Sequence, residues 1–310
     1  MKFGIALETF SPPGKSPERE SIVRMAKTAE KLGFDSVWVW DHLLLGSRKV
    51  FPVLDSLTTL SYLSAVTSKV KLGTSVLIMG LRNPLVLAKA LSAIQIFSDG
   101  RLVLGAAAGW YEREFRAVGV DFTKRGKIFE DVFQLVRRLL NESDVNYRED
   151  RIELEHATML PKSSIPVPML MGGYNNKVLD RTGRLSDGWV SYYYTPDDYQ
   201  DSWNKIALSA KNAGRDSNKL LSVDVVPLAI ASSYEDGDRV ARRFTTDYMD
   251  LPKNTRCTPD SAVRGTVKDC INRVSEYEKI GLEELVFIPS NYDLEQVEKA
   301  GNEILPAFSK

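Results

Sequence analysis

The sequence predicts an α/β chain folded as one (β/α)8 TIM barrel with insertions, a single domain over residues 1–310. Three observations carry this expectation. Strand-like and helical segments alternate along the whole chain. The strand-like segments are continuous apolar runs, as in a parallel sheet covered by helices. The 310 residues accommodate a barrel of about 250 residues with about 60 left for excursions. A doubly wound open sheet is the rival architecture. It would need fewer strands and usually a glycine-rich first turn, whereas the first turn here reads ETFSPPG, without GxGxxG.

The apolar run 2–7 is the first strand. A helix over 18–31 puts Ile22, Val23, Ala26 and Ala29 at helical spacing, and Gly33 ends it. Residues 36–40, SVWVW, are β-branched and aromatic and form the second strand. A helix over 54–66 and a strand over 70–78 follow. Asn83 caps a helix that takes Pro84 in its first turn and reaches Phe97. The fourth strand is 101–107, and 124–140 is strongly amphipathic. Residues 141–166 break the rhythm with an extended excursion at 146–154 and a loop marked by Pro161, Pro166 and Pro168. The pattern resumes with a strand at 168–171, a helix at 175–185 and a strand at 188–191. A helix over 196–213 is capped by Thr195, and 221–231 is the seventh strand. Residues 232–262 are polar and irregular, with helical potential in the first half. A helix over 263–280, a strand at 284–288 and a helix over 294–305 complete eight βα units. No Pro/Gly/Ser linker divides them.

Composition excludes several function classes. Lys+Arg and Asp+Glu are both 41, so the formal charge is zero. That lacks the basic excess of a nucleic-acid or anionic-membrane binder. With 43% hydrophobic and 26% charged residues, the chain is of ordinary globular type. Cys257 and Cys270 are the only cysteines and form no CxxC pair. A reducing, cytoplasmic setting is therefore expected, without a disulfide framework. The only histidines are His42 and His156, with no HExxH, so no metal site is expected. The opening MKFGIALETF reads as a strand and not as a leader. No apolar run approaches the length of a membrane span.

In a barrel, function sits at the C-terminal ends of the strands. Those ends offer Glu8, Thr9 and Phe10; Asp41 and His42; Thr74, Ser75, Val76 and Leu77; Ala107, Ala108, Gly109 and Trp110; Gly172, Gly173, Tyr174 and Asn175; and Tyr192, Tyr193 and Tyr194. An aromatic, glycine-rich mouth with few charges suits a flat aromatic ligand with a phosphate tail better than a sugar or a metal.

Six segments in order also carry a resemblance: GFDSVWVWDH (33–42), KLGTSVL (71–77), RLVLGAAAGWYEREFRAVGV (101–120), KRGKIFED (124–131), IPVPMLMGGYNNKVLDRTGRLSDGWV (165–190) and RGTVKDCINRVSEYEKIGLEELVF (264–287). They resemble the luciferase-like flavin and deazaflavin oxidoreductases over essentially the whole chain. The DH and AAAGWYEREF signatures are most similar to the branch using the 8-hydroxy-5-deazaflavin coenzyme (coenzyme F-420). Members include secondary alcohol dehydrogenase, glucose-6-phosphate dehydrogenase and methylenetetrahydromethanopterin reductase. The resemblance implies hydride transfer between that coenzyme and a small organic substrate of alcohol/carbonyl or methylene-pterin type. The alternative is an FMN-dependent monooxygenase fed by a separate flavin reductase. An alternative of another class is a barrel that binds flavin without catalysis. A homo-oligomer, dimer or larger, is implied by the resemblance alone.

The resemblance also assigns roles. Thr74, Ser75 and Val76 would back the cofactor ring at a bulge with a non-prolyl cis bond between Ser75 and Val76. His42 is the candidate base or alkoxide stabiliser, since imidazole exchanges protons near neutrality. Asp41 would hydrogen-bond the ring edge or orient His42. Glu8 is the third catalytic candidate. Ala107 and Gly109 would let the cofactor approach the backbone, with Trp110 as a wall. Glucose-6-phosphate dehydrogenase members carry an acid at the position of Trp110, so this departure argues against that substrate and removes one proton donor. Glu114 is expected to make a structural loop contact. Gly172, Gly173, Tyr174 and Asn175 precede a helix, where N–H groups and the helix dipole suit a phosphate. Tyr192–Tyr194 would line the pocket or form a subunit seam. His156 is expected in a solvated loop, and both cysteines are expected to be inert. In 232–262, the residues Arg239, Arg242, Arg243, Lys253 and Arg256 would clamp an anion or form a solvated face, with the face favoured. Specificity would reside in 43–53, 141–166 and 232–262.

Overall fold

In the computed structural model, which describes residues 1–149, 152–248 and 258–308, eight parallel strands close on themselves. They are β1 (Lys2–Ala6), β2 (Ser36–Val39), β3 (Lys71–Ile78), β4 (Leu102–Ala107), β5 (Met169–Gly172), β6 (Gly188–Tyr192), β7 (Leu221–Ile230) and β8 (Glu284–Pro289). Each pairs with the next, and β8 returns to β1 with Lys2 opposite Glu284. Outside lie α1 (Arg19–Leu32), α2 (Ser56–Val66), α3 (Pro84–Phe97), α4 (Arg125–Asn141), α5 (Asn176–Leu185), α6 (Pro196–Asn212), α7 (Val267–Lys279) and α8 (Leu294–Lys299). The fold is the expected (β/α)8 barrel. Asn83 Oδ1 accepts from the amide of Leu85, Thr195 caps α6, and Gly33 ends α1 at φ 86°. No helix among the described residues is long and apolar enough to cross a membrane.

The barrel floor shows how sequence sets this packing. Trp38 of β2 is 1% exposed. A β-carbon on Gly73 of β3 would fall inside its indole, and one on Gly4 of β1 would strike Ser36 Oγ. Glycine on both flanking strands therefore makes room for one large ring. The indole Nε1 donates to Ser36 Oγ at 2.7 Å, and Ser36 donates to Glu284 on β8. Burial raises the Glu284 carboxyl above its ordinary range.

Asp224 on β7 is a second buried acid. Its Oδ1 accepts from Ser191 Oγ at 2.7 Å and from the Val225 amide at 3.0 Å, while Oδ2 has no partner. Desolvation pushes it up to about 7, against the pull of the Ser191 bond. The native state thus holds this proton more tightly than the unfolded chain does. The contribution of Asp224 to stability is present in full below the unfolded value near 3.8 and is lost as pH rises through about 7. Asp224→Asn is expected to gain on the order of 1–3 kcal/mol at pH 8 and to flatten the stability profile between pH 4 and 7. Urea denaturation across that range checks it, and an unchanged pH slope would refute it.

Two local expectations are corrected. The proposed helix over 263–280 begins as a strand: Val263–Gly265 pairs in parallel with Leu228–Ile230, and α7 starts only after Thr266. Gly265 at φ 108° breaks the helix there, and Thr266 with Asp269 forms a reciprocal capping box. The last helix ends at Lys299, then continues as a π turn over Ala300–Ile304 and a 3₁₀ turn over Leu305–Phe308. Residues 43–53 contain a short hairpin, Leu45–Gly46 against Val50–Phe51, and a six-residue helix spans Glu112–Ala117. The sequence reading missed both. The excursion in 141–166 is a hairpin, Val145–Glu149 against Ile152–Ala157. Its return arm lies on α3, where Gln95 Nε2 donates to the Ile165 carbonyl at 3.0 Å. The helical half of 232–262 is Tyr234–Tyr248.

Candidate active site

The C-terminal mouth is assembled by loops that hold one another. Thr9 Oγ1 after β1 accepts from the Trp40 amide at 3.0 Å. Phe10 bridges to Val53 and stacks on Phe51, with ring centroids 5.5 Å apart. The 43–53 segment is thereby pinned across the first loop. Glu8 is buried, and its Oε1 accepts from Lys15 Nζ at 2.9 Å and Ser11 Oγ at 3.4 Å. It makes no hydrogen bond to His42.

Asp41 does not orient His42, contrary to one expectation. Both its oxygens are taken by Arg82, Nη1 to Oδ2 and Nη2 to Oδ1, each at 2.8 Å. Ser56 Oγ donates to Oδ1 and the Ile78 amide to Oδ2, both at 2.9 Å. Burial draws the Arg82 pKa down, but the charge of Asp41 and its hydrogen bonds outweigh that and raise it. Four bonds on one buried carboxylate make Asp41 a tie between the end of β2 and the loop after β3. The sequence reading did not single out Arg82, because nothing local marks a partner 41 positions away.

His42 is held by Glu114. Nδ1 lies 2.9 Å from Glu114 Oε2. Glu114 Oε1 accepts from the amides of Leu43 at 2.5 Å and Leu44 at 2.9 Å. The Glu114 side chain is fully buried and that of His42 is 15% exposed. His42 Nε2 has no hydrogen-bond partner among the described residues and is not shut off from solvent. Trp110 stands edge-on to the imidazole, with centroids 5.6 Å apart. The expected loop contact of Glu114 is present, and the same carboxylate also reaches the one mouth histidine.

The third and fifth strands build a cradle. The Ser75–Val76 peptide is cis and non-prolyl, as the resemblance implies, and the β3–β4 register shifts between Thr74 and Leu77. Thr74 Oγ1 donates to the Gly105 carbonyl at 2.8 Å. A β-carbon on Gly172 would lie 2.8 Å from Val76 Cγ1, so a side chain there would displace Val76. Gly173 takes φ 131°, and its carbonyl accepts from Trp189 Nε1 at 2.9 Å. Asn175 Oδ1 caps α5 by accepting from the Val178 amide. Gly109 has φ 79°, and a β-carbon there would meet Ile78 and Phe115. Internal packing therefore already requires a glycine at 109.

Other expectations sort out. Tyr193 and Tyr194 are buried, and Tyr194 stands edge-on to Trp189, so this cluster is core and not a subunit seam. Tyr192 stands edge-on to Trp40 at the mouth. Arg239 pairs with Asp236 and Arg242 with Asp238 along their own exposed helix, which fits the solvated face. Lys253, Arg256 and Cys257 lie outside the described residues. His156 is exposed on a hairpin strand and bonded to Asp144 at 2.6 Å. Cys270 is buried and free, with its thiol pushed up to about 12 by burial.

The model of the luciferase-like monooxygenases matches residues 1–304 of the chain. The chain belongs to that family. This luciferase-like protein is 32% identical over 236 residues to 5,10-methylenetetrahydromethanopterin reductase of Methanolobus tindarius, covering 76% of this chain and 67% of the relative. It is 27% identical over 267 residues to F420-dependent glucose-6-phosphate dehydrogenase of Amycolatopsis mediterranei, covering 84% and 75%. Its fold superposes on an F420-dependent secondary alcohol dehydrogenase, solved with an F420–acetone adduct, at TM-score 0.83 and 19% identity, over 100% and 99% of the two chains.

Proposed function

We propose that this luciferase-like protein is a coenzyme F420-dependent oxidoreductase that moves a hydride between the deazaflavin and a small alcohol, carbonyl or methylene-pterin. The observation that carries the reading is His42, with Nδ1 anchored and Nε2 open, at the rim of a barrel mouth. The F420-dependent relatives support the choice of coenzyme.

The mouth fits a flat ring with a phosphate tail. Glycine at 172 makes room for the Val76 side chain at the bulge between Thr74 and Leu77, so a bound ring would lie against Val76. Thr74, Ser75, Val76, Ala107, Gly109 and Trp110 would hold the ring. Gly172, Gly173, Tyr174 and Asn175 would offer backbone N–H groups at the start of α5 to the phosphate. When bound, the coenzyme supplies the hydride acceptor or donor. In alcohol oxidation the hydride leaves the carbinol carbon, and the hydroxyl proton passes to His42 Nε2; reduction returns both. Asp41 acts by fixing the backbone next to His42, with no free oxygen for a ring edge. Glu8 contributes charge at the first loop, paired with Lys15. Trp110, 38% exposed beside His42, gives the substrate side an apolar wall that suits a small organic molecule better than a sugar phosphate.

A homo-oligomer and a cytoplasmic setting belong to the same reading. The exposed residues of α2 (Thr58, Tyr62 and Ala65) carry no charge, and those of α3 (Val86, Lys89 and Phe97) carry one. Such a face favours burial against another subunit.

Fluorescence titration with the deazaflavin and with FMN tests the reading. Saturable deazaflavin binding with much weaker FMN binding is expected. Tight FMN binding alone would transfer the protein to the monooxygenase reading. Deazaflavin binding without turnover on alcohol, imine and methylene-pterin panels would leave a binding barrel only.

A further inference from the structure

We propose that Glu114 is the positioning residue for His42. It would set the imidazole tautomer, leaving Nε2 as the proton-accepting atom, and fix the chain that carries the ring. This rests on the hydride-transfer reading only for its catalytic consequence; the tautomer itself does not depend on it.

The argument begins with donors and acceptors. Glu114 accepts on Oε1 from the Leu43 and Leu44 amides, and its Oε2 faces Nδ1 at 2.9 Å. Two amides donating to Oε1 favour the ionised form of Glu114, and beside an ionised carboxylate Nδ1 carries the hydrogen and Nε2 the lone pair of the neutral ring. Nε2 is the atom left without a protein partner. The neutral ring is therefore prepared to take a hydroxyl proton. The imidazolium formed then sits against a buried negative charge, which stabilises it.

Position follows from the same carboxylate. Amides of the two residues after His42 and the ring itself converge on one side chain that is fully buried. Rotation of the ring about χ1 or χ2 would break the Nδ1 bond, and Trp110 blocks one edge. Glu114 comes from the short helix after β4, 72 positions away from His42. It therefore also ties the second and fourth loops of the mouth.

Gln at 114 separates the two roles. Its carbonyl oxygen can keep the Leu43 and Leu44 amides, but its NH2 must then donate to Nδ1, which forces the hydrogen onto Nε2. The experiment is ¹⁵N NMR of the full chain carrying His156→Gln, so that His42 is the sole histidine, without coenzyme or substrate. The expected result is an Nδ1–H ring in this background and an Nε2–H ring once Glu114→Gln is added. Turnover of the Glu114→Gln protein should fall about 10²–10⁴-fold, the scale of a base held in the wrong tautomer, with KM changed little. Glu114→Asp, which keeps the charge, should retain the Nδ1–H signature and recover part of the rate. An Nε2–H ring in the parent overturns the proposal without any need for the Gln variant to fold. So does a tautomer that Glu114→Gln leaves unchanged. Were hydride transfer never observed, the NMR result would stand and only the functional reading would fall.

Discussion

His42→Ala is expected to lower turnover by roughly 10²–10⁴-fold, the usual contribution of a positioned acid–base group, with coenzyme affinity preserved. His42 is one of only two histidines, and the other is exposed on a hairpin strand. Among the described residues, the three carboxylates of the mouth are already engaged. Glu8 is paired with Lys15, Asp41 with Arg82, and Glu114 accepts two amides besides the ring. The residue after the short run that ends β4 is Trp110, whose indole is neither an acid nor a base near neutrality. On the proposed reading, coenzyme binding would rest instead on the 74–76 bulge and the 172–175 turn. The measurement is kcat for alcohol oxidation alongside fluorescence titration of the deazaflavin. Undiminished turnover would remove His42 from the mechanism.

Asp41→Ala is expected to destabilise the protein by about 3–5 kcal/mol, the cost of stranding a buried charge. The Arg82 side chain is 13% exposed and the Asp41 side chain fully buried. Removing the carboxylate leaves the guanidinium without its bidentate partner, with the half-exposed Asp55 at 3.1 Å and the Ile78 carbonyl at 3.4 Å remaining. The Ile78 amide and Ser56 hydroxyl also lose their acceptor. Urea denaturation measures the loss. Adding Arg82→Met should recover much of it, since an apolar side chain does not need the carboxylate. A loss below about 1 kcal/mol, within the common run of substitutions, would show the pair to be incidental and return Asp41 to the list of coenzyme contacts.

These two residues show what was legible. His42 was singled out as one of two histidines, at a strand end in the 33–42 motif, and its ring does stand at the mouth beside Trp110, held by Glu114. Asp41, its neighbour, was found for the same reason but given the wrong partner. The helices were well placed where a cap or a glycine marks an end, as at Asn83, Thr195 and Gly33. Placement failed at 263–280, where a three-residue strand and a capping box were read through as helix. Short elements such as 45–46, 50–51 and 112–117 carry too few residues to show a period.

By itself the sequence determined the alternation of strand and helix, and with it the barrel and the mouth. Apolar period, capping and glycine stops act within a few residues of one another, so a linear reading captures them. Only the tertiary structure decided which charge meets which. A carboxylate has no local preference among the cations and amides of its chain. Arg82 lies 41 positions from Asp41, and Glu114 lies 72 from His42. Closure of the eight strands brings their C-terminal loops together, and that closure makes Asp41 a tie and Glu114 the partner of the imidazole.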